Sequence, residues 1–366
     1  MNTQRNKIFN KILSAIFIVN IIIVIIAAVL IAVKEIRSIE ELLMSVVNIL
    51  IVIAAVFLFV IGHELSHFIF GIIYKCRVKS IGILFFEIGI ENGRLYFKFN
   101  KNPKNIIGMC YCYPDDNTTY WQFVFSYGVG ILFDAIVIII MTGIMVFTDA
   151  RNSKQFIFAY IPCLIFFIND LIPVNSPVIS DMYVLWLSIK NKVFVQDLFN
   201  ITYIEGVHQY GTRPRLIPNK YYIVKSKDLK KINNGLYTLY LLRLILLLLD
   251  SNEHNAFYDD CKRIIKENES EIIENSILEF KALYIIYLIH VEKDYDRALE
   301  LWEGIKDIDE KTIELLIVEL MVKYVANQDN EYLKTKLFKD LNFDEERGTF
   351  YTYEDLINKY ALEKNL

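Results

Sequence analysis

The chain has 366 residues, of which 54% are hydrophobic and 22% charged, and its formal net charge is −4. This composition excludes a disordered chain and argues against an ordinary soluble enzyme. Residues 1–227 carry 21 basic and 14 acidic side chains (net +7), whereas residues 228–366 carry 18 and 29 (net −11). The first part is therefore typical of a membrane domain. The second is typical of a soluble helical domain that would repel nucleic acid.

Four stretches are long and apolar enough to cross a membrane, since a spanning helix needs about 20 apolar residues. They are residues 12–33, 42–74, 117–148 and 155–189. The first has no cleavage site after it and is expected to be retained. Basic residues concentrate in the loop 75–116, namely Lys75, Arg77, Lys79, Arg94, Lys98, Lys101 and Lys104. Basic loops stay in the cytoplasm, so we expect a multi-pass protein of the cell membrane with both termini and this loop cytoplasmic.

The cytoplasmic loop contains a strong hairpin signal. Two β-rich runs within residues 85–99 flank Asn92 and Gly93. A type I′ turn needs positive φ at both central positions, which Asn-Gly supplies most readily. We expect a small β-hairpin with an open edge at the membrane surface.

The second apolar stretch contains His63-Glu64-Leu65-Ser66-His67, an H-E-x-x-H sequence. On a helix the two histidines share a face and can bind one zinc ion, while Glu64 can act on the water that the zinc holds. Ionisable groups inside a spanning helix are costly, which points to a functional role. His67 lies about two turns before Lys75, so the predicted zinc site is near the cytoplasmic side.

Two histidines leave zinc in need of a further protein ligand and an open position for water. Asp170 and Asp181, in the last apolar stretch, are candidates. Pro173 and Pro177 lie between them and forbid a continuous helix. Non-helical backbone at membrane depth occurs only inside protein or beside a wet cavity. We therefore expect a broken last spanning helix that delivers an acid to the site.

Together these features resemble the site-2 protease family of intramembrane zinc metalloproteases, over about residues 10–190. In that family an N-x-x-P motif precedes a D-G pair whose aspartate is the third zinc ligand. The resemblance implies that Asp181 is this ligand, with Asp170 as its rival. It also implies that Asn169, Pro173 and Asn175 help to hold an extended substrate.

The sequence departs from the family pattern at several positions. Met182 stands where the family has glycine, and the interval from Pro173 to Asp181 exceeds the commoner spacing. The third apolar stretch, by contrast, fits the family, since the segment from Gly130 to Asp134 stands where many members have G-P-x-x-N. We expect Asp134 to make a polar contact in helix packing.

The resemblance implies a zinc metalloendopeptidase that hydrolyses peptide bonds of membrane-anchored proteins or signal-peptide remnants. His63, His67 and Asp181 would hold Zn²⁺, and Glu64 would activate the zinc-bound water. The alternative is a non-catalytic membrane scaffold or partner-binding protein with a structural or vestigial zinc site. A glutamate as third ligand is disfavoured, because Glu205, the nearest later glutamate, lies outside the apolar stretches.

The last part of the chain has apolar residues at helical spacing. The run 239–249 is too short to span a membrane and predicts a buried helix. Residues 294–302 resemble the second helix of a tetratricopeptide repeat, in which Tyr295, Ala298 and Trp302 take the packing positions. A repeat-like solenoid and a generic helical bundle both fit, and either would offer a docking surface to a protein partner.

The expected architecture is an all-α polytopic membrane protein with about four transmembrane helices, the last one broken, and a small membrane-surface hairpin. A soluble, tetratricopeptide-like helical domain follows. The predicted boundaries are 1–205 for the membrane metalloprotease domain, 206–227 for a basic linker and 228–366 for the helical domain.

Overall fold

Helices dominate the described parts of the chain, which fall into two units. The computed structural model describes residues 38–83, 86–91, 94–99, 108–174, 179–251, 255–275, 277–308, 312–326, 337 and 347–362. The first unit comprises Met1–Phe199 and Lys231–Asn233, and the second comprises Asn200–Lys230 and Asn234–Leu366. Thirteen α-helices and one four-stranded sheet lie in the described residues.

The first unit is built on two long helices, α1 (Ile39–Ile73) and α2 (Tyr120–Phe147). Within them, Leu43–Ile73 and Tyr120–Phe147 are long and apolar enough to cross a membrane. Many of their apolar side chains face outward, including Leu50, Ile53 and Leu58, each more than half exposed. The predicted first span, residues 12–33, lies outside the described residues.

The start of α2 is set by a capping box. The Thr119 hydroxyl accepts a hydrogen bond from the Gln122 backbone N–H, and the Gln122 side chain accepts one from the Thr119 backbone N–H. This reciprocal pair satisfies two donors that a helix N-terminus otherwise leaves unpaired. It fixes the first turn of the helix that packs along α1.

The fourth apolar stretch forms two helices, α3 (Lys154–Asp170) and α4 (Asp181–Lys190). Helix α3 ends three residues before Pro173, in keeping with the restriction that proline imposes on the backbone before it. Val174 donates its backbone N–H to the Ser180 hydroxyl at 3.0 Å across the break. Residues 175–178, with Pro177, lie outside the described residues. A fifth helix, α5 (Lys192–Gln209), follows, and the division between the units falls within it.

The loop between α1 and α2 forms a sheet that is larger than the predicted hairpin. Its strands are β1 (Arg77–Ile83), β2 (Phe86–Glu91), β3 (Arg94–Phe99) and β4 (Gly108–Tyr113), in the antiparallel order β3-β2-β1-β4. The predicted hairpin is β2–β3, closed by the pair Glu91 and Arg94. Asn92 and Gly93 themselves lie outside the described residues. The strands β1 and β4 were not predicted, because they pair across a long insertion.

The second unit contains the rest of α5 and seven further helices among the described residues, and the short helix α6 (Leu229–Ile232) is divided between the two units. The seven are α7 (Asn234–Asp250), α8 (Ala256–Glu267), α9 (Glu269–Glu274), α10 (Leu278–Tyr287), α11 (Tyr295–Glu303), α12 (Ile313–Val325) and α13 (Arg347–Leu362). The predicted buried helix at 239–249 is confirmed, since α7 buries Leu241, Leu244 and Leu247 almost completely.

Two regions of the second unit bear on predictions made from the sequence. In the segment predicted as a basic linker, Ile217, Tyr221 and Tyr222 are buried, and two short 3₁₀ helices, Pro214–Leu216 and Asn219–Tyr222, form. In the tetratricopeptide-like segment, Ala298 on α11 is fully buried, whereas Tyr295 is exposed. The repeat itself stays a prediction.

Candidate metal centre

The H-E-x-x-H sequence lies in the second half of α1, within continuous helix. His63 and His67 are four residues apart, so their side chains project from one face. The two Nε2 atoms lie 3.1 Å apart. Glu64 and His67 are buried, and His63 is largely so.

Asp181 completes the group from a distant part of the sequence. Its Oδ2 atom lies 2.9 Å from Nε2 of His67 and 3.3 Å from Nε2 of His63. Asp181 is the first residue of α4, where the helix dipole favours a negative charge. The N-cap residue Ser180 accepts a hydrogen bond from the Tyr183 backbone N–H and so fixes the start of this helix.

Both histidines are held through their other ring nitrogen by residues of α2. Nδ1 of His63 lies 2.7 Å from Oδ2 of Asp134, and Nδ1 of His67 lies 2.6 Å from the Ser126 backbone carbonyl oxygen. A carboxylate and a carbonyl oxygen only accept, so each Nδ1 carries the proton and donates it. Each Nε2 therefore presents a lone pair toward Asp181, which is the arrangement typical of metal-ligating histidines.

The spacing of these three donor atoms fits a zinc ion. Zinc binds histidine nitrogen at about 2.0–2.1 Å in tetrahedral geometry, which places neighbouring ligand atoms about 3.3 Å apart. The three distances between the donor atoms of His63, His67 and Asp181 are 2.9, 3.1 and 3.3 Å. Three electron-pair donors this close repel one another unless a cation joins them. The donor set therefore fits zinc, with no fourth protein ligand in this group among the described residues.

Glu64 is the buried acid of the motif. It follows His63 directly, and it interacts electrostatically with both histidines and with Asp181. It does not belong to either metal-capable group in the described residues. Glu64 therefore lies beside the donor atoms and is not one of them, a position that suits a general base.

Asp170, the sequence's other candidate for third ligand, lies on the opposite side of the His63 ring. Its Oδ2 atom is 3.9 Å from Nδ1 of His63, the nitrogen that faces Asp134. His63, Asp134 and Asp170 thus form a second group with donor atoms within 4.8 Å of one another. With its Nδ1–H donated to Asp134, His63 has no lone pair on that nitrogen for a second metal ion. Asp181 faces the two Nε2 atoms.

The role of α2 in orienting the two histidines was not predicted from the sequence. Asp134 was expected to make a polar contact in helix packing, and it does so between α2 and α1, but its partner His63 is a candidate metal ligand. Ser126, Gly130 and Asp134 are spaced by four residues and face the two imidazoles together. A signal was present, since Asp134 is the only formal charge in an apolar stretch and follows Gly130 by one turn.

The predicted substrate-holding residues lie around the helix break. Asn169 is in the last turn of α3, where its carbonyl accepts a hydrogen bond from the Ile172 backbone N–H at 3.0 Å. Pro173 is exposed in the segment that follows. Asn175 lies outside the described residues. Asn169 therefore lies at the end of α3, and Pro173 lies on the chain that leads from there to Asp181.

The cysteines and the other histidines of the described residues belong to no metal-capable group. Cys110 and Cys112 lie on β4 as free thiols, and neither belongs to a metal-capable group of the described residues. The same holds for His208 and His290, while His254 lies outside the described residues. Comparison with known proteins gives no relative, since no protein-family model, curated protein or solved structure matches this chain.

Proposed function

We propose that this chain is an intramembrane zinc metalloendopeptidase with a single metal centre formed by His63, His67 and Asp181. The observation that carries the proposal is the convergence of two imidazole Nε2 atoms and one carboxylate oxygen within 3.3 Å, although Asp181 is 118 residues from His63. Both imidazoles have their Nδ1–H groups engaged elsewhere, so their remaining lone pairs point to one place. Such a convergence of buried donors is costly unless a cation is bound.

A catalytic role is favoured over a structural one by the number of ligands. Structural zinc sites are closed by four protein ligands, whereas catalytic sites have three and leave a position for water or substrate. This group has three in the described residues. A buried carboxylate, Glu64, lies next to them. Both features support the protease over the non-catalytic scaffold.

The chemistry then divides between the metal and the protein. A zinc ion in this site would lower the pKa of a water molecule and polarise the scissile carbonyl group. Glu64 accepts a proton from water and passes it to the leaving amine, so it acts as general base and then as general acid. Asp134 and the Ser126 carbonyl keep the histidines oriented throughout. Asp181 places a negative charge among the donor atoms.

The membrane setting is supported by the surface of the two long helices. The apolar side chains along α1 and α2 are largely exposed, and the core helix of a soluble protein would bury them. We infer that both helices cross the cell membrane, with residues 12–33 and the broken pair α3–α4 as further spans. The substrate class follows, namely membrane-anchored proteins or signal-peptide remnants whose scissile bond reaches the bilayer.

A spanning substrate helix has its amide groups bonded internally and must unwind before cleavage. Two features suit an unwound segment. The chain between α3 and α4 leads directly to Asp181, and β3 is an edge strand of the sheet. Strand addition to that edge would hold the substrate through backbone hydrogen bonds.

The test compares metal content and proteolysis in detergent-purified protein. The wild type should hold about one zinc per chain, Asp181→Ala should lose it, and Glu64→Gln should keep it. Glu64→Gln should at the same time cut no reporter from a panel of signal-peptide remnants and single-span helices, whereas the wild type cuts at least one. A wild type that binds no zinc under metal-replete conditions would exclude the protease. Zinc binding with wild-type and Glu64→Gln proteins equally inactive would favour the scaffold.

A further inference from the structure

We propose that Asp134 is a positioning residue that holds His63 in its metal-binding orientation, and that Asp170 supports it from the helix break. This inference rests on the proposed function, since it concerns the same metal centre. It assigns a role to two acids that the three-ligand site does not require.

The contact between Asp134 and His63 is short and fully enclosed. Oδ2 of Asp134 accepts the Nδ1–H hydrogen bond of His63 at 2.7 Å, and Asp134 is completely buried. A carboxylate partner fixes the tautomer and ring orientation of a ligating histidine and raises its basicity. A neutral amide or carbonyl supplies only the orientation. The carboxylate therefore strengthens Nε2 of His63 as a donor.

The cost of burying this acid argues for a specific role. Its second oxygen, Oδ1, is buried and receives no hydrogen bond from the described residues. A buried carboxylate with one donor partner is destabilising compared with an apolar side chain of similar size. Packing of α1 against α2 alone would be better served by leucine. The observed pairing is thus explained by what Asp134 does for His63.

The position of Asp134 follows from the spacing along α2. Residues 126, 130 and 134 lie on one face, since each is four positions from the next. The Ser126 carbonyl meets His67 and the Asp134 carboxylate meets His63, with Gly130 between them against both rings. One helix face therefore orients both histidines at once.

Asp170 connects this arrangement to the segment that carries the third ligand. It is the last residue of α3, and the next helix, α4, begins at Asp181. Its Oδ2 atom lies 3.9 Å from Nδ1 of His63, and its donor atom is grouped with that of Asp134. Asp170 thus lies at the end of α3 close to the first ligand. We expect its removal to loosen the approach of Asp181.

The experiment measures metal binding without proteolysis. Zinc affinity is determined by chelator competition, and the ligand field is read from the visible spectrum of the cobalt-substituted protein. Asp134→Leu, which keeps the number of side-chain heavy atoms but removes the acceptor, should lower zinc affinity by about 10–100-fold and shift the cobalt spectrum. Asp134→Asn, whose amide oxygen still accepts the Nδ1–H bond, should recover most of the affinity. Asp170→Asn should give a smaller loss.

The control is Thr142→Ala, which removes a hydrogen bond between Thr142 Oγ1 on α2 and the Tyr160 hydroxyl on α3 (3.0 Å) away from the metal centre. It should leave affinity and spectrum unchanged. The inference is overturned if Asp134→Leu matches Thr142→Ala in both readouts, or if Asp134→Asn is as impaired as Asp134→Leu. Absence of zinc binding in the wild type would overturn the proposed function instead.

Discussion

Gly130 lies directly against the ring of His63, with no space between them for a side chain. A Cβ atom on Gly130 would lie 2.5 Å from Nε2 of His63 and equally close to Nε2 of His67. These are the two nitrogens that converge on Asp181. The approach of α2 to the candidate metal centre therefore depends on the absence of a Cβ at this position.

Gly130→Ala is the first prediction. The new methyl group cannot be accommodated at 2.5 Å, so either the histidine rings turn or α2 moves away from α1. Both outcomes displace Nε2 from the metal position. We expect zinc affinity, measured by chelator competition, to fall at least tenfold while the chain still folds.

Gly143→Ala is the matched control, because Gly143 lies on the same helix and a Cβ there would meet nothing within 4 Å. It should leave zinc affinity unchanged and stabilise the helix by up to about 1 kcal/mol. Equal zinc affinities for the two variants would contradict the close packing of Gly130 on the histidines.

The metal centre was only partly predictable from the sequence. His63, Glu64 and His67 follow from local helix geometry, since four residues bring two side chains onto one face. Asp181 was indicated by a resemblance to a family, and no local pattern pairs it with residues 118 positions away. The contact of Asp134 with His63 depends on how α1 and α2 cross. That crossing is a tertiary property that periodicity does not encode.

The strand pairing of the sheet was likewise only partly predictable from the sequence. The hairpin β2–β3 has a turn signal between its strands, and it was predicted. By contrast, β1 pairs with β4 from Arg77 opposite Tyr113 to Ile83 opposite Gly108, so the hairpin and a further stretch of chain intervene. Nothing local in either strand specifies that partner. Long-range pairing is selected by burial of Val78, Ile81 and Ile83.

Ser180→Ala is the second prediction. The Ser180 hydroxyl caps α4 through Tyr183 and also receives the Val174 backbone N–H, so it holds both ends of the break beside Asp181. Loss of an N-cap costs about 0.5–2 kcal/mol. We expect zinc affinity to drop several-fold as Asp181 becomes less well placed. Ser153→Ala removes a similar cap from α3, through Phe156, and should leave zinc affinity unchanged.

The apolar face of the hairpin leads to a third prediction. Phe97 and Phe99 are 65% and 57% exposed on β3, whereas Lys98 projects from the opposite face. A substrate strand added to this edge would pack its own side chains along the two rings. The double change Phe97→Ser with Phe99→Ser should slow cleavage of a membrane-anchored reporter and leave zinc content intact. Lys98→Ser should leave both the cleavage rate and the zinc content unchanged, and equal rates for all three proteins would count against strand addition.

The last prediction concerns a buried histidine in the second unit. Nδ1 of His208 accepts a hydrogen bond from Nη1 of Arg243 at 2.9 Å, and its Nε2–H donates to the Thr349 hydroxyl at 2.6 Å. Arg243 is itself paired with Glu205. Burial lowers the pKa of His208 to about 3, and the positive charge of Arg243 acts in the same direction. His208 is therefore neutral in the folded chain at all ordinary pH values.

The lowered pKa makes the second unit sensitive to acid. In the unfolded chain His208 has a pKa of about 6.5 and binds a proton that it does not bind in the folded chain. The stability linked to neutral His208 is complete above about pH 6.5 and is lost as the pH falls toward about 3. Between those values the free energy of unfolding should decrease by about 1.4 kcal/mol per pH unit from this group alone.

His208→Gln isolates this effect, because a glutamine amide can accept from Arg243 and donate to Thr349 without titrating. The melting temperature of the second unit, followed in the full-length chain, should fall less between pH 7 and pH 5 in the variant than in the wild type. Burial also lowers the pKa of His290, to about 4, but that group is present in both proteins and cancels in the comparison. Parallel pH profiles would show that His208 is already protonated in the folded state, and the hydrogen bonds assigned to its two nitrogens would then be wrong.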